Sequence, residues 1–332
     1  MGICIAGLGH YLPERAVTNE ELIGMLAEAS GNNINAAGLK KKLDMNLAVT
    51  RRFISGDENA LQMARSAILR CLEKSGADAA DIDLIIYCAM FRKFVEPAMA
   101  IHLQNEIGAV NANAFDISNA CMGFLNAIEL AYFYIEAGRY DNVLIVGAEE
   151  NSGLIPMDMF GDEENNPGFS SLTIADGAAA MLLQKGKRKK DFGLFDMQTF
   201  SEHKDICKIK IGKETHDLKL MVNSRRLAAA ALDIMSKFIP GFVALAEDYL
   251  GGVDIMFIHQ VTGNQKKFCG GLSDELFGKF YTTFPTVGNT GSVSIPLAMS
   301  LAEEEGRLKR GDRVVVLVGA SGFSCGGTAF VY

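Results

Sequence analysis

The sequence predicts an α/β fold built from two duplicated halves, each with a parallel β-sheet covered by helices. Short apolar runs alternate with helical stretches along the chain, and similar blocks recur about 170 residues apart. The composition agrees with a folded protein, because 49% of the 332 residues are hydrophobic and 22% are charged.

Three pairs of segments make the repeat, in the same order in each half. An acidic residue followed by an apolar run occurs at 81–88 and at 253–260, which predicts two buried strands. A polar turn then opens a helical stretch at 115–123 and again at 284–291. A glycine ends each stretch, and a strand follows at 142–148 and 313–320.

The two halves are predicted to join at the basic run 185–190, which gives domains of 1–185 and 186–332. This run is either a solvated connector or a docking site for an acidic carrier protein or a phosphate-bearing cofactor. Residues 158–168 are rich in acids, Asn, Pro and Gly, which predicts a surface loop.

The net charge, the apolar segments and the cysteine pattern argue against several classes of function. The net charge of −8 argues against a nucleic-acid partner, because phosphate binding needs a concentrated basic surface. The N-terminus lacks the features of a signal peptide, and no apolar run is long enough to cross a bilayer. The seven cysteines form no C-x-x-C pair, which predicts a reducing cytoplasm rather than a disulfide framework or a metal site.

Cys121 is the candidate nucleophile of the first half. It lies between Ala120 and Met122, where a strand is predicted to turn sharply into a helix. The first turn of a helix offers unpaired N–H groups and the positive end of the dipole, so it should stabilise a thiolate. The alternative interpretation is a buried structural cysteine.

His259 and Asn289 are the candidates of the second half. His259 ends an apolar strand, and ligand sites form at the carboxyl ends of parallel strands. Asn289 precedes a helix, in the place that Cys121 holds in the first copy. Considered singly, His259 can be structural and Asn289 a helix N-cap. The repeat predicts that all three side chains meet where the halves join.

A loop of small residues at 319–327 lies between two predicted strands. It is either a tight turn or a place where backbone N–H groups approach a developing oxyanion.

These motifs together resemble a known family. Residues 118–124, the His259-Gln260 pair, residues 288–290 and the loop at 319–327 are similar to the β-ketoacyl-ACP synthase III group of the thiolase superfamily. The similarity spans nearly the whole chain. It implies a thiolase-like five-layer αβαβα sandwich, an acyltransferase activity and a homodimer in the cytoplasm.

The resemblance also implies roles for residues. Cys121 would take an acyl group from coenzyme A or acyl carrier protein, and His259 and Asn289 would hold the carbonyl oxygen of a second thioester as it becomes an enolate. The N–H groups of Cys121 and Ser321 would form the oxyanion hole. Condensation gives a 3-oxoacyl product for fatty acid, polyketide or hydrocarbon synthesis, with no permanently bound cofactor or metal.

Three further residues are expected to contact the substrate. They are Phe124 and Phe323, which lie in motifs that carry the resemblance, and Thr262, which closely follows the His259-Gln260 pair. The chain departs from the family pattern after His259-Gln260, where Val261-Thr262 replaces the usual Ala-Asn, and it contains no Trp to stack on the adenine of coenzyme A.

Residues 94–97 point to a variant reaction. They resemble a segment of the bacterial olefin-biosynthesis condensing enzymes, in which a glutamate from the partner subunit reaches the active site. A malonyl donor forms its carbanion by losing carbon dioxide, whereas a simple acyl-CoA must lose an α-proton to a base. Glu96 is therefore a candidate base for a non-decarboxylative, head-to-head condensation, and the alternative is an exposed loop acid.

Two other classes of function stay open at this point. A Cys-His-Asn hydrolase has the same residue types in the same order, and it would release a free acid. A non-catalytic thiolase-like partner subunit would bind acyl chains without becoming acylated.

Overall fold

The computed structural model of the protein describes residues 2–90, 92–155, 157, 160, 169–186, 192–209 and 220–332. The strands in these ranges are β1 Gly2–Tyr11, β2 Ala16–Thr18, β3 Arg51–Phe53, β4 Leu84–Cys88, β5 Asn113–Ile117, β6 Asn142–Glu149, β7 Gly177–Gly186, β8 Phe192–Thr199, β9 Cys207–Ile209, β10 Leu220–Val222, β11 Ile255–Ile258, β12 Phe280–Tyr281, β13 Arg313–Ala320 and β14 Ser324–Val331. The α-helices are α1 Asn19–Ala29, α2 Ala36–Lys41, α3 Ala60–Ser75, α4 Met99–Ile107, α5 Gly123–Glu136, α6 Ser224–Leu250, α7 Asp274–Phe277, α8 Phe284–Val287 and α9 Ser294–Glu304.

Ten of the strands form two five-stranded sheets of the same topology. The first has the order β1-β7-β6-β4-β5, and the second has the order β8-β14-β13-β11-β12. In each sheet, three neighbouring strands that begin at one edge run parallel. They are β5, β4 and β6 in the first sheet and β12, β11 and β13 in the second. The predicted duplication is therefore confirmed in the order and direction of the strands.

The prediction that each sheet is wholly parallel is wrong. β7 runs antiparallel to both β1 and β6, and β14 runs antiparallel to both β13 and β8. Only three residues separate the end of β13 at Ala320 from the start of β14 at Ser324. Such a short connection can join only antiparallel strands, because a parallel pair needs a long crossover.

The helices and sheets stack in five layers. α5 and α9 lie between the two sheets, α3 and α4 cover the outer face of the first sheet, and α6 covers the outer face of the second. This is the αβαβα sandwich that the sequence predicts. The central core, between the sheets, is the place where residues from both halves meet.

Matching aspartates start the first parallel strand of each half. The N–H of Asp83 donates to the carbonyl of Asn142, and the N–H of Asp254 donates to the carbonyl of Arg313. Each aspartate carboxylate also accepts from the N–H at the start of the neighbouring strand, at 2.8 Å from Asn142 and 2.9 Å from Arg313. The acidic residue noted in each copy therefore sets the register of two adjacent strands.

Gly7 and Gly9 on β1 allow α3 to pack directly on the first sheet. A Cβ atom at Gly7 would lie 2.4 Å from the carbonyl oxygen of Cys71, and one at Gly9 would lie 2.1 Å from that of Ala67. Backbone atoms cannot yield at such distances. The two glycines thus allow close helix packing. This role explains the Gly7-Leu8-Gly9 pattern, which only weakly suggests dinucleotide binding.

α6 bears on the prediction that no apolar run of the chain is long enough to cross a bilayer. By length and composition it is the one helix among the described residues that could cross a bilayer. Its apolar face, however, packs on β13 and β14, and its buried residues include Ile234, Phe238 and Phe242. This is the arrangement of a core helix in a globular fold.

The first sheet ends at Gly186 and the second begins at Phe192. Most of the predicted basic connector, residues 187–190, and most of the predicted loop at 158–168 lie outside the described residues. The division into domains of 1–185 and 186–332 stays a prediction. All seven cysteines are free thiols, and the described residues contain no cluster of His, Cys, Asp and Glu that could hold a metal ion.

Candidate active site

Cys121, His259 and Asn289 line one cavity of about 310 Å³. The remaining walls are largely apolar. They come from one face of α6, including Leu227, Ala231 and Met235, and from the short strands β9 and β10. The exposed Lys267 marks the side on which the cavity meets solvent.

Cys121 lies in a strained turn between β5 and α5. Ala120 has a φ of 45°, in the left-handed region that an alanine rarely adopts. The N–H of Met122 then donates to the carbonyl of Asn119, and that of Gly123 donates to the carbonyl of Ala120. This turn directs the thiol into the cavity, where its sulfur lies 3.9 Å from the sulfur of Met90. Strained backbone of this kind is found at functional sites.

The electrostatic expectation for Cys121 is wrong. Burial raises the pKa of the thiol, and the nearby carboxylate of Glu149 raises it further. The largest of these effects is the removal of water around the sulfur. The uncharged thiol is therefore the resting form at neutral pH.

His259 directly follows β11, as the sequence predicts. Its N–H donates to the carbonyl of Leu317 at 2.9 Å, which continues the ladder between β11 and β13. Its Nδ1 lies 2.7 Å from Oγ of Ser294, at the start of α9. Its Nε2 is buried and has no hydrogen-bond partner among the described residues. Burial lowers the pKa of the imidazole to about 4, so His259 is neutral at physiological pH.

Asn289 is held by both its backbone and its side chain. Its N–H donates to the carbonyl of Thr173 at 2.8 Å, and its carbonyl accepts from the N–H of Ala175 at the same distance. Its Oδ1 accepts from the N–H of Gly291 at 3.0 Å. Because Oδ1 is engaged, the amide presents Nδ2, a donor, to the cavity.

Gly288 permits this placement. It has a φ of 89°, and a Cβ atom there would lie 2.9 Å from Cβ of both Ala175 and Arg52. A side chain at this position would push Asn289 away from the loop of the first half that holds it.

Gln260 connects His259 to the segment that leads to Asn289. Its Oε1 accepts from the N–H of Phe284 at 2.9 Å, and its Nε2 donates to the carbonyl of Tyr281 at 3.0 Å. The side chain is buried. In the His-Gln pair, His259 therefore lines the cavity, and Gln260 holds the neighbouring strand β12.

Two sequence profiles of one family match the chain. The profile of 3-oxoacyl-[acyl-carrier-protein] synthase III matches residues 115–202, which contain Cys121, and the profile of the C-terminal part of the same enzyme matches residues 251–332, which contain His259 and Asn289. The chain belongs to the 3-oxoacyl-[acyl-carrier-protein] synthase III family. It is thus an acyltransferase of the condensing type, in the thiolase superfamily.

Curated synthase III enzymes align over almost the full length of the chain. The β-ketoacyl-[acyl-carrier-protein] synthase III of Agrobacterium fabrum is 28% identical over 97% of each chain. That of Clostridium perfringens is 29% identical over 98% of this chain and 97% of its own.

Solved structures share the synthase III fold. A variant of OleA from Xanthomonas campestris superposes with a TM-score of 0.86 at 25% identity, over 100% of this chain and 99% of its own. Another OleA variant, solved with bound lauric acid and lauroyl-CoA, has a TM-score of 0.83 at 24% identity, over 100% and 99%. The 3-oxoacyl-[acyl-carrier-protein] synthase III of Aquifex aeolicus has a TM-score of 0.82 at 23% identity, over 100% of both chains.

The other residues predicted for the synthase III site lie in different places. Ser321, Thr262 and Phe323 line the cavity with the three central residues. Phe124 does not, because α5 turns its ring into the core between the two sheets. Glu96 is exposed on the loop before α4 and does not line the cavity of its own chain.

A buried carboxylate joins the two halves beside the synthase III site. Glu149, at the end of β6, accepts from the N–H of Met90 at 2.9 Å. It also accepts from the N–H and the hydroxyl of Ser292, at 3.1 Å and 2.6 Å. Met90 contacts Cys121, and Ser292 follows the turn of Asn289, so the one side chain of Glu149 fixes both edges of the cavity.

Sequence reasoning missed three residues here: Glu149, Ser294 and Asn151. Glu149 bonds to Ser292 of the other half, Ser294 bonds to His259, and Asn151 lines the cavity. Contacts between residues far apart in the chain leave no local pattern. The signal that could have pointed to Ser294 and Glu149 is their place in the repeat, at a helix start and at a strand end.

Proposed function

We propose that Cys121 accepts an acyl group from a thioester and that His259 and Asn289 activate a second thioester for attack on it. The observation that carries this proposal is the pair of hydrogen-bond donors in the cavity. His259 offers Nε2, which has no partner among the described residues, and Asn289 offers Nδ2, because its Oδ1 already accepts from Gly291.

In the first step the Cys121 sulfur forms a bond to the acyl carbonyl carbon. The bond from that carbon to the carrier sulfur breaks, and the departing thiolate takes the proton that Cys121 loses. Coenzyme A and acyl carrier protein thioesters are the substrates. The covalent intermediate divides one difficult reaction into two easier ones.

In the second step the donor thioester places its carbonyl oxygen between His259 and Asn289. Two neutral donors stabilise the negative charge that grows on this oxygen as the enolate forms. The enolate carbon attacks the acyl carbonyl, the bond to Cys121 breaks, and a 3-oxoacyl thioester is released. The N–H groups of Cys121 and Ser321 are proposed to hold the oxyanion of this step.

The geometry favours condensation over a Cys-His-Asn hydrolase. In such a hydrolase the asparagine orients the histidine, and the histidine bonds to the thiol. Here Ser294 bonds to Nδ1 of His259, and Gly291 bonds to Oδ1 of Asn289. The cavity donors are thus directed at a substrate rather than at one another.

A head-to-head condensation of two acyl-CoA molecules is the second candidate. The exposed segment around Glu96 supports it, since Val95 is 89% exposed and neither residue lines the cavity of its own chain. In a homodimer this loop can reach the partner's cavity and remove the α-proton there. A 25% identical OleA structure adds support. We propose a cytoplasmic homodimer as the working form.

The decisive experiment incubates the protein with octanoyl-CoA, with and without malonyl carrier protein, and analyses protein and products by mass spectrometry. We expect an acyl adduct on wild-type protein, none on Cys121→Ala, and a longer 3-oxoacyl product. Growth by two carbons identifies the malonyl route, and joining of two octanoyl groups identifies the head-to-head route. Release of octanoic acid alone would instead indicate a hydrolase, and an unlabelled wild-type protein would indicate a non-catalytic subunit.

A further inference from the structure

Asn151 brings a buried, unpaired carboxamide to the wall of the cavity. It begins the 3₁₀ turn Asn151–Leu154, directly after β6 and Glu150. The side chain is fully buried and lines the cavity. Neither Oδ1 nor Nδ2 has a hydrogen-bond partner among the described residues. Buried polar atoms are nearly always paired, so an amide with both ends open calls for an explanation.

The turn that carries Asn151 is held on both sides. The N–H and hydroxyl of Ser152 donate to the buried carboxylate of Asp176, at 2.7 Å and 2.6 Å. The carboxylate of Glu150 accepts from the N–H of Ala60 at 2.9 Å. These bonds anchor the backbone on both sides of Asn151, so its side chain extends from a fixed turn at the cavity wall.

Asn151 lies beside the reacting groups. A Cβ atom built on Gly291 would be 3.2 Å from Nδ2 of Asn151 and 2.6 Å from Cε of Met90. Met90 in turn contacts the sulfur of Cys121 at 3.9 Å, and the N–H of Gly291 bonds to Asn289. The amide thus faces the part of the cavity next to the thioester carbon of an acyl group on Cys121.

An ordinary alkyl chain does not satisfy this amide. The chain would place only CH₂ groups against it, as do its apolar neighbours Leu154 and Ile174 in the same cavity. A hydroxyl group satisfies both ends, because it donates to Oδ1 and accepts from Nδ2. A ketone satisfies only Nδ2. The donor carbonyl already has His259 and Asn289, so Asn151 is available to the acyl group.

We infer that Asn151 is a specificity residue for acyl groups that carry a hydroxyl close to the thioester, the 3-hydroxyacyl class. This inference rests on the proposed loading of Cys121, and it names the acyl substrate of that step. A site built to bond a hydroxyl discriminates against the analogue that lacks one, because its own polar atoms then stay unpaired.

The test measures the rate at which Cys121 becomes acylated, followed by intact mass. The substrates are octanoyl-CoA, 3-oxooctanoyl-CoA and each enantiomer of 3-hydroxyoctanoyl-CoA. We expect wild-type protein to prefer one 3-hydroxy enantiomer over octanoyl-CoA by about 10-fold or more, with the 3-oxo compound between them. Asn151→Leu should abolish this preference, while Asn151→Ser, whose hydroxyl can also donate and accept a hydrogen bond, should retain part of it.

Gln265→Leu is the matched control. Gln265 also lines the cavity and also has a buried, unpaired amide nitrogen, but it lies on the turn Gln265–Phe268 next to the exposed Lys267. This variant should keep the parental preference. Melting temperatures of all variants check that they are folded.

Three results would overturn the inference. Equal rates for octanoyl and 3-hydroxyoctanoyl groups in the wild-type protein would mean that Asn151 holds only a water molecule. A preference that survives Asn151→Leu but is lost in Gln265→Leu would move the site to Gln265. Wild-type protein that no thioester labels would remove the proposed function, and this inference with it. Acylation of Cys121 without a preference for 3-hydroxyacyl groups would overturn only this inference and leave the proposed function standing.

Discussion

Nδ1 of His259 and Oγ of Ser294 lie 2.7 Å apart, and they join the end of β11 to the start of α9. When the hydroxyl donates to Nδ1, the proton of the neutral imidazole lies on Nε2, which faces the cavity. In the proposed reaction, Ser294 would thereby make His259 a hydrogen-bond donor to the donor thioester. Ser294 is a positioning residue, since it acts on the substrate through the imidazole.

The first prediction concerns this pair. Ser294→Ala should slow condensation by about 10-fold to 100-fold, because the imidazole loses its fixed tautomer and orientation. Acylation of Cys121 should change little, since that step does not use the enolate site. Product formation and intact mass of the protein, measured side by side, separate the two steps.

A second His–Ser pair supplies the control. Nδ1 of His10 lies 2.9 Å from Oγ of Ser300, which is also on α9 but does not line the cavity. Ser300→Ala should lose a comparable bond and leave condensation unchanged. Equal losses in the two variants would mean that Ser294 only supports α9.

The second prediction concerns stability against pH. The pKa of His259 is about 4 in the folded protein, below its usual value of 6.5. The unfolded chain therefore binds a proton at this imidazole more strongly than the folded protein does. The free energy of unfolding falls as pH drops from about 6.5 toward 4. Between pH 7 and pH 5 this one group should cost roughly 2 kcal/mol.

Urea unfolding of wild-type protein and His259→Gln at pH 7 and pH 5 measures this cost. The variant should lose less stability over that interval, by the amount given above. Burial also lowers the pKa of His10, but that group is common to both proteins and cancels in the comparison. Identical losses in the two proteins would show that the imidazole of His259 is reached by protons in the folded state.

The third prediction concerns Glu96. Glu96→Ala should spare acylation of Cys121 and remove the condensation of two acyl-CoA molecules, because no base then takes the α-proton. Condensation with a malonyl donor should survive. Glu28→Ala, at another exposed acid, should match wild-type protein. A parental rate in Glu96→Ala would leave Glu96 as a loop acid only.

Mixing two inactive variants tests whether Glu96 crosses between subunits. A dimer of Cys121→Ala and Glu96→Ala chains contains one site with both an intact Cys121 and an intact Glu96 from the partner. Subunit exchange should therefore restore part of the head-to-head activity. No recovery in a mixture that has demonstrably exchanged would place Glu96 in its own subunit's reaction, or in none.

The fourth prediction concerns helix packing on the first sheet. Gly9→Ala should destabilise the protein by about 1–3 kcal/mol, because the new methyl group meets the backbone of α3. Gly24→Ala is the control. Nothing lies within 4 Å of a Cβ atom there, and alanine should stabilise α1 by roughly 0.5–1 kcal/mol. Urea unfolding of both variants checks the sign of each change.

The sequence predicts the placement of Cys121, His259 and Asn289 well because each follows a strand end or precedes a helix in a repeat. Because the halves are duplicated, matching strand ends meet where the halves join. Positions along the chain therefore predict which residues lie close together in space. The same reasoning fails for the directions of β7 and β14. Their apolar runs read alike in either direction. The three-residue connection before β14 allows only an antiparallel pair, whereas the long segment between β6 and β7 allows either direction.

The chemistry of individual atoms was harder to predict. The pKa of Cys121 depends on how much water the fold removes around the sulfur and on Glu149, which is far away in sequence but close in space, so the helix start alone gives the wrong sign. Phe124 belongs to a motif shared with the family, yet its ring direction follows from the face that α5 turns to the core. Side-chain direction across an interface has no signature in one sequence.

The bonds of Glu149 have an evolutionary consequence. A gene formed by doubling could be expected to tolerate being cut again at the junction, yet Glu149 satisfies its carboxylate with groups from both copies. A separated first half would keep this charge but lose the hydroxyl and amide of Ser292. Neither fragment can then preserve the rim of the cavity by itself, so each copy has come to depend on the other for the shape of this site.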